Sequence, residues 1–298
     1  MADDPRASRA APDPGPIEGG ISCRSVSSGY LGKAVLKGIS FDIDRPAIYV
    51  VLGPNGAGKT TLFRTLAGIL RPYSGEVWVG GERIGLRSAR NRLHYLSHMD
   101  GIPDGLRVRE TLDFYARVER ASPADVDRVL DLLEIRPIAD RFLTALSAGQ
   151  KKRLSVARTF LREREIYLLD EPTTNLDPKA AREIRELILG LSQNKIVLYS
   201  SHNLFEAREI GQYVLAIKSG QLGVFDRLEN LRTARYVVGV RVLEASAALA
   251  DWPREGDYFL RELAGPEAVP ALLRDLESRD VKIREVREMN NPLEELFT

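Results

Sequence analysis

The sequence predicts an α/β fold, in which a parallel-sheet core is interrupted by a helical insertion and followed by a small α+β unit. Three observations predict it. Ala47-Ile48-Tyr49-Val50-Val51-Leu52 is a continuous apolar run that ends in glycine-rich sequence, the pattern of a parallel strand buried on both faces. Ile166-Tyr167-Leu168-Leu169 and Lys195-Ile196-Val197-Leu198-Tyr199 repeat that pattern. Between these runs apolar residues recur at helical spacing, so strands and helices alternate.

Taken in order, residues 1–17 carry Pro5, Pro12, Pro14 and Pro16 among Ala, Asp and Arg, with little to bury, and read as a disordered tail. Residues 18–228 form the expected main domain, in which Ala34–Ile43 is strand-like. From Val108 to Arg162 the pattern is mostly helical: Val108, Leu112, Tyr115 and Val118 share one face, and Val126, Val129, Leu130 and Leu133 share another. The character changes after Gln221. Arg235–Leu243 and Val281–Val286 read as strands, and Glu267–Ser278 as an amphipathic helix. Asn291-Pro292-Leu293-Glu294-Glu295-Leu296-Phe297 suggests a terminal helix with proline in its first turn. Residues 229–298 are therefore expected to form a small accessory domain.

The 298 residues include 43 basic and 42 acidic side chains, a formal net charge of +1. That balance gives no electrostatic reason to expect nucleic acid as a partner. No apolar run approaches the roughly 20 residues that span a bilayer, and the N-terminus has no apolar leader core. If the protein works at a membrane, another chain supplies the membrane part, and the cytoplasm is the expected compartment. The single Cys23 excludes an internal disulfide, and one Cys with three His argues against a structural zinc site.

Gly53-Pro54-Asn55-Gly56-Ala57-Gly58-Lys59-Thr60-Thr61 follows the first buried strand and opens a helical pattern. It fits G-x-x-x-x-G-K-[ST] in the strand–loop–helix setting that a phosphate-binding loop requires. The glycines let successive N–H groups approach phosphate oxygens, and the helix start adds its positive dipole end. Lys59 is expected to reach the β- and γ-phosphates, and the Thr60 hydroxyl to ligate Mg²⁺. At the end of the second buried strand stand Asp170 and Glu171. A carboxylate there costs stability unless a cation compensates it. Asp170 is placed to hold Mg²⁺ through water, and Glu171 to orient or deprotonate an attacking water.

Leu146-Ser147-Ala148-Gly149-Gln150 precedes Asp170-Glu171, and Asn175-Leu176-Asp177 and Ser200-Ser201-His202 follow. With the phosphate loop, this series resembles the ATP-binding-cassette (ABC) ATPases over residues 21–225. The resemblance implies a P-loop cassette with a parallel-sheet core, an antiparallel β subdomain and a helical subdomain at about 98–162. It implies that Tyr30 stacks on adenine, and that Ser147, Ala148, Gly149 and Gln150 form a signature loop facing the γ-phosphate held by another subunit. That loop is also a second helix start able to hold an anion. Asp177 would link the two sites across a head-to-tail dimer of cassettes, made by this chain with itself or with a related subunit. His202 would contact the γ-phosphate and help hold the attacking water.

One departure from the family pattern stands at His98, where the family usually has a glutamine that senses Mg²⁺ and water; imidazole is a poor direct ligand for that ion. The stretch Leu96-Ser97-His98-Met99-Asp100-Gly101-Ile102, with the Leu-Ser-Ala-Gly-Gln signature, resembles the haem-export ATPases of cytochrome c maturation. The C-terminal Asn291–Phe297 resembles the ending of ATPases from ABC-2 type exporters. Together these resemblances imply an ATP- and Mg²⁺-dependent ATPase subunit of a membrane exporter, held at the cytoplasmic face of the cell membrane by a separate integral-membrane permease. The competing expectation is a soluble cassette ATPase with no transport role, such as an iron–sulfur assembly type.

Overall fold

The structure, a computed structural model, describes residues 17–97, 105–231, 236–244 and 246–289, together with Leu293 and Leu296. His98, the expected tail apart from Ile17, and most of the expected terminal helix lie outside the described residues.

The described residues begin with a hairpin, β1 (Ile21–Tyr30) and β2 (Lys33–Ile43), and enter β3 (Ala47–Leu52), all six of whose residues are buried. Helix α1 (Lys59–Leu66) follows the glycine-rich loop, and then come β4 (Ser74–Val79), β5 (Glu82–Arg83), α2 (Arg87–Arg90) and β6 (Leu93–Leu96). The helical stretch resolves into α3 (Val108–Glu119), α4 (Pro123–Leu132) and α5 (Ala148–Thr159). Next are β7 (Ile166–Asp170), α6 (Pro178–Leu191), β8 (Ile196–Ser200), α7 (Leu204–Ile210), β9 (Tyr213–Lys218) and β10 (Gln221–Arg227). The remainder is β11 (Tyr236–Val242), β12 (Arg254–Glu255), β13 (Tyr258–Leu263), α8 (Val269–Ser278) and β14 (Ile283–Glu288).

The central sheet has the order β10-β9-β3-β8-β7-β6. Strands β9, β3, β8, β7 and β6 are parallel, and β10 closes one edge antiparallel to β9. Alternation along these strands sorts the core into two layers. Ile48, Val50, Leu52, Tyr167, Leu169, Val197 and Tyr199 face α3 to α7. Tyr49, Val51, Ile166, Leu168, Ile196 and Leu198 face α1 and a second, antiparallel sheet of order β2-β1-β4-β5. A run buried on both sides has no polar face to show, which is why these strands read as unbroken apolar sequence.

A third sheet, β12-β13-β11-β14, is wholly antiparallel and packs its Val238 and Val240 against Leu272 and Leu276 of α8. Two features tie this unit to the rest. Glu288 of β14 accepts from Arg208 of α7 at 2.7 Å, and Leu293 is fully buried in the larger core cluster beside Leu228 and Leu231.

Candidate functional site

The site sits at the C-terminal edge of the parallel strands, where loops leave the sheet. Leaving β3, the chain turns through Gly53–Gly58 with Ala57 N–H donating to Pro54 C=O at 3.0 Å and Gly220 N–H donating to Ala57 C=O at 3.1 Å. Gly58 caps α1 with φ 112°, a backbone conformation that L side chains rarely adopt, so the turn favours glycine. With no side chain at the cap, nothing on Gly58 competes for the N–H groups of the first turn. Asn55 and Gly56 are exposed at the loop tip, Ala57, Lys59 and Thr61 are buried, and Gly53 and Thr60 are half-buried. The Lys59 ammonium donates to the carbonyls of Gly53, at 2.7 Å, and Pro54, at 3.4 Å. Burial pushes its pKa below the ordinary lysine value, and the charges of Glu171 and Asp170 oppose that shift.

Across the sheet, β7 delivers Asp170 at 1% exposure. Its Oδ1 accepts from Ser200 Oγ at 2.7 Å, and its Oδ2 is buried with no hydrogen-bond partner among the described residues. The parallel register sets Asp170 opposite Ser200 at the end of β8. Ser200 Oγ in turn accepts from the Glu171 N–H at 3.0 Å. Glu171 adopts φ 51°, the left-handed region, so the chain bends sharply and throws the next carboxylate off the strand direction. Its Oε2 accepts from Thr174 Oγ1 at 3.1 Å, and its Oε1 lies 3.6 Å from His202 Nδ1. His202 is otherwise exposed on the loop after β8, whereas the Glu171 side chain is mostly covered.

Ser147 caps α5 through a reciprocal capping box: its Oγ accepts from Gln150 N–H at 3.2 Å, while Gln150 Oε1 accepts from Ser147 N–H at 3.1 Å. Ser147 and Ala148 are exposed and Gly149 is half-buried. Gly149 lies against Leu176, whose Cδ2 is 3.6 Å from where a Cβ would stand. Among the described residues no hydrogen bond joins Ser147–Gln150 to the glycine-rich loop. Asp177 caps α6, accepting from Ala180 N–H at 3.0 Å, and that bond holds its carboxyl below the usual carboxylate range. Tyr30 ends β1, exposed, and its hydroxyl accepts from Arg64 Nη1 of α1 at 3.0 Å.

The structure thus brings Lys59, Asp170, Glu171 and His202 together, keeps Tyr30 beside the phosphate-loop helix, and leaves the Ser147 helix start facing outward. Residues 36–174 match the protein family described as ABC transporter. The chain is 33% identical over 208 residues to the Nod factor export ATP-binding protein I of Burkholderia orbicola, covering 67% of this chain and 68% of that one. The chain belongs to the ABC transporter ATP-binding family.

This cassette binds and hydrolyses ATP, as the family does. It is also 40% identical over 149 residues, 50% of this chain and 67% of the relative, to the cytochrome c biogenesis ATP-binding export protein CcmA of Roseobacter denitrificans. A solved ATP-binding subunit of an ABC transporter superposes with a TM-score of 0.66 at 25% identity, covering 71% of this chain and 91% of that one. The central and first antiparallel sheets are those of the ABC cassette fold. No helix of the described residues is long and apolar enough to cross a membrane.

Sequence reasoning named Ser200 and Ser201 only as members of a motif and missed Thr174 and Glu206 altogether. Ser200 holds Asp170 and the Glu171 backbone, Thr174 holds the Glu171 carboxylate, and Glu206 accepts from Ser201 Oγ at 2.7 Å. A hydroxyl or a charge amid apolar neighbours is the signal that marks Ser200 and Glu206, whereas Thr174 lies in a polar loop that carries no such signal.

Proposed function

We propose that this cassette is the ATP-hydrolysing subunit of an ABC-2 type membrane exporter, working as a pair of cassettes on a separate integral-membrane permease at the cytoplasmic membrane face. The observation that carries the pairing is the outward-facing helix start at Ser147: its exposed residues make no hydrogen bond to the glycine-rich loop of their own chain, so a second cassette can seat its γ-phosphate there. The export role rests on the likeness to the CcmA and Nod factor proteins, both named for export. Residues 229–298 act in this reading as an accessory unit on a cassette of residues 18–228.

The residues fit Mg²⁺. Asp170 Oδ2 is buried without a partner among the described residues, which costs roughly 1–3 kcal/mol or more for a charged group unless a cation or its water fills the gap. Thr60, at the start of α1, adds a hydroxyl. Asp170, through water, and the Thr60 hydroxyl would hold the ion, which would supply positive charge to offset that of the phosphates.

The chain's own groups do the rest. Lys59 exchanges the Gly53 carbonyl for phosphate oxygens, a charge-assisted contact roughly twice as strong as a neutral one. The Glu171 carboxylate, held by Thr174, orients the attacking water and accepts its proton. His202 touches the γ-phosphate and the same water. Ser147, Ala148 and Gly149 of a second cassette close the site, with Gln150 fixing that loop and Asp177 linking the two sites, while Tyr30 stacks on the base. Catalysis comes from positioning and charge stabilisation.

The test is affinity capture of the tagged chain from gently solubilised native membranes, followed by mass spectrometry. A stoichiometric polytopic membrane protein is the expected partner. Recovery with soluble partners alone would overturn the exporter reading and leave a soluble cassette ATPase.

A further inference from the structure

Behind the catalytic carboxylate lies a buried ionic group that the mechanism above does not use. Glu206, in the first turn of α7, is 7% exposed. One of its carboxylate oxygens, Oε2, accepts from Ser201 Oγ at 2.7 Å, and the other, Oε1, accepts from Arg185 Nη1 at 3.3 Å. Ser201 is itself buried, and its hydroxyl oxygen accepts from the Asn203 N–H at 3.0 Å. Asn203 then caps α7, its Oδ1 accepting from the N–H groups of Phe205 and Glu206. The two residues flanking His202 are thus pinned to one buried carboxylate, while the His202 side chain itself is 61% exposed and reaches Glu171 Oε1 only at 3.6 Å.

The surroundings explain why the charge is kept. Arg185 comes from α6, the helix that Asp177 caps, and it also pairs with Glu209 Oε2 at 3.0 Å. Tyr199, buried beside Glu206, shares a hydrogen bond with Thr173 at 3.0 Å, two residues beyond Glu171. Burial and the Glu206 charge hold its phenol well above the ordinary range, so it stays neutral. For stability alone, a well-packed apolar pair would serve as well as a buried Arg–Glu pair. What an apolar pair cannot do is fix the Ser201 hydroxyl.

We propose that Glu206 is a positioning residue for ATP hydrolysis: neutralised by Arg185, it anchors Ser201 and so sets the backbone turn that aims His202 at Glu171 and the γ-phosphate. Arg185 ties that turn to the helix behind Asp177. This inference rests on the reading of Glu171 and His202 as the groups around the attacked phosphate.

The experiment compares kcat and KM for ATP, with ATP affinity by calorimetry, in the full chain and in Ser201→Ala, Glu206→Gln, Glu206→Ala, His202→Ala and the His202→Ala/Glu206→Ala double variant. Displacing a catalytic group by about 1 Å can cost on the order of 10²-fold. Ser201→Ala and Glu206→Ala should lose about ten- to hundredfold in kcat while ATP affinity stays within about twofold. Glu206→Gln should recover part of the loss, because its amide oxygen still accepts from Ser201 and Arg185 keeps Glu209. With His202 already removed, Glu206→Ala should cost nothing further, since the two act as a unit.

A further full loss in the double variant would overturn the proposal, as would an unchanged kcat in Ser201→Ala, a variant that removes one hydroxyl and keeps the ion pair if Glu206→Ala fails to fold. Wild-type turnover by His202→Ala would instead sink the reading of His202 beneath it.

Discussion

The ammonium of Lys59 lies 2.7 Å from the carbonyl oxygen of Gly53, so the loop's cation is held by the loop's own backbone. A dipole is a weaker partner than a phosphate, and burial lowers the pKa of the ammonium, so the group gains when a polyphosphate arrives. Lys59→Ala should weaken ATP binding by about 2 kcal/mol or more, roughly thirtyfold in Kd, by isothermal calorimetry. Unchanged affinity would remove Lys59 from the site.

The lysine shift also predicts a pH effect. In the folded chain Lys59 releases its proton below the ordinary value of 10.5, so the unfolded chain binds more protons between the two values. Its contribution to stability therefore rises with pH through that window. Bound phosphates favour the charged form and reverse the shift. ATP binding at alkaline pH should then take up protons, seen as an apparent binding enthalpy that varies with the ionisation enthalpy of the buffer in wild type and less so in Lys59→Ala.

Asp170→Asn separates stability from function. The amide oxygen can still accept from Ser200, and the variant removes a buried charge whose Oδ2 has no partner among the described residues. Melting of the nucleotide-free chain should shift upward or stay put, while Mg²⁺-dependent hydrolysis should vanish. A large drop in melting temperature with hydrolysis retained would show that the carboxylate is structural.

Glu171→Gln keeps the side-chain volume and the Thr174 contact but cannot accept a proton. Turnover should fall about 10²–10⁴-fold, the worth of a positioned general base, while ATP affinity stays near wild type. The bound ATP should then hold two copies together, seen as an ATP-dependent dimer by light scattering. Sustained hydrolysis would reassign the base.

What was legible in the sequence follows from where the information lies. Strand β3 and the loop after it could be read because the burial pattern and the glycines that shape the phosphate site are contiguous. Strands β9 and β13 went unread: Tyr213–Lys218 sits close to a second apolar stretch, and Tyr258–Leu263 is only half-buried, so neither stands out from its flanks. The contacts of Ser200 with Asp170, 30 residues apart, and of Arg185 with Glu206 exist only once strands and helices are laid side by side. No spacing rule links such pairs, so their partners were invisible while the motifs themselves were plain.

Leu293 puts that distinction to a stability test. It belongs to a terminal segment read from the sequence as a candidate helix resembling the ending of ABC-2 exporter ATPases, and the structure buries it at 1% exposure in the larger core cluster, where it lines one cavity with Leu228 and Leu231. Leu293→Ala deletes three methyl or methylene-sized groups and leaves a cavity, because neighbours relax only partly. The loss should be about 2–4 kcal/mol in urea unfolding, with the slope unchanged. Since Leu293 lines a cavity with Ala47 and Tyr213, at the starts of β3 and β9, whereas the glycine-rich loop leaves the other end of β3, ATP affinity at low temperature should match wild type. A loss below about 0.5 kcal/mol would show that the segment adds little to the core, as surface substitutions do.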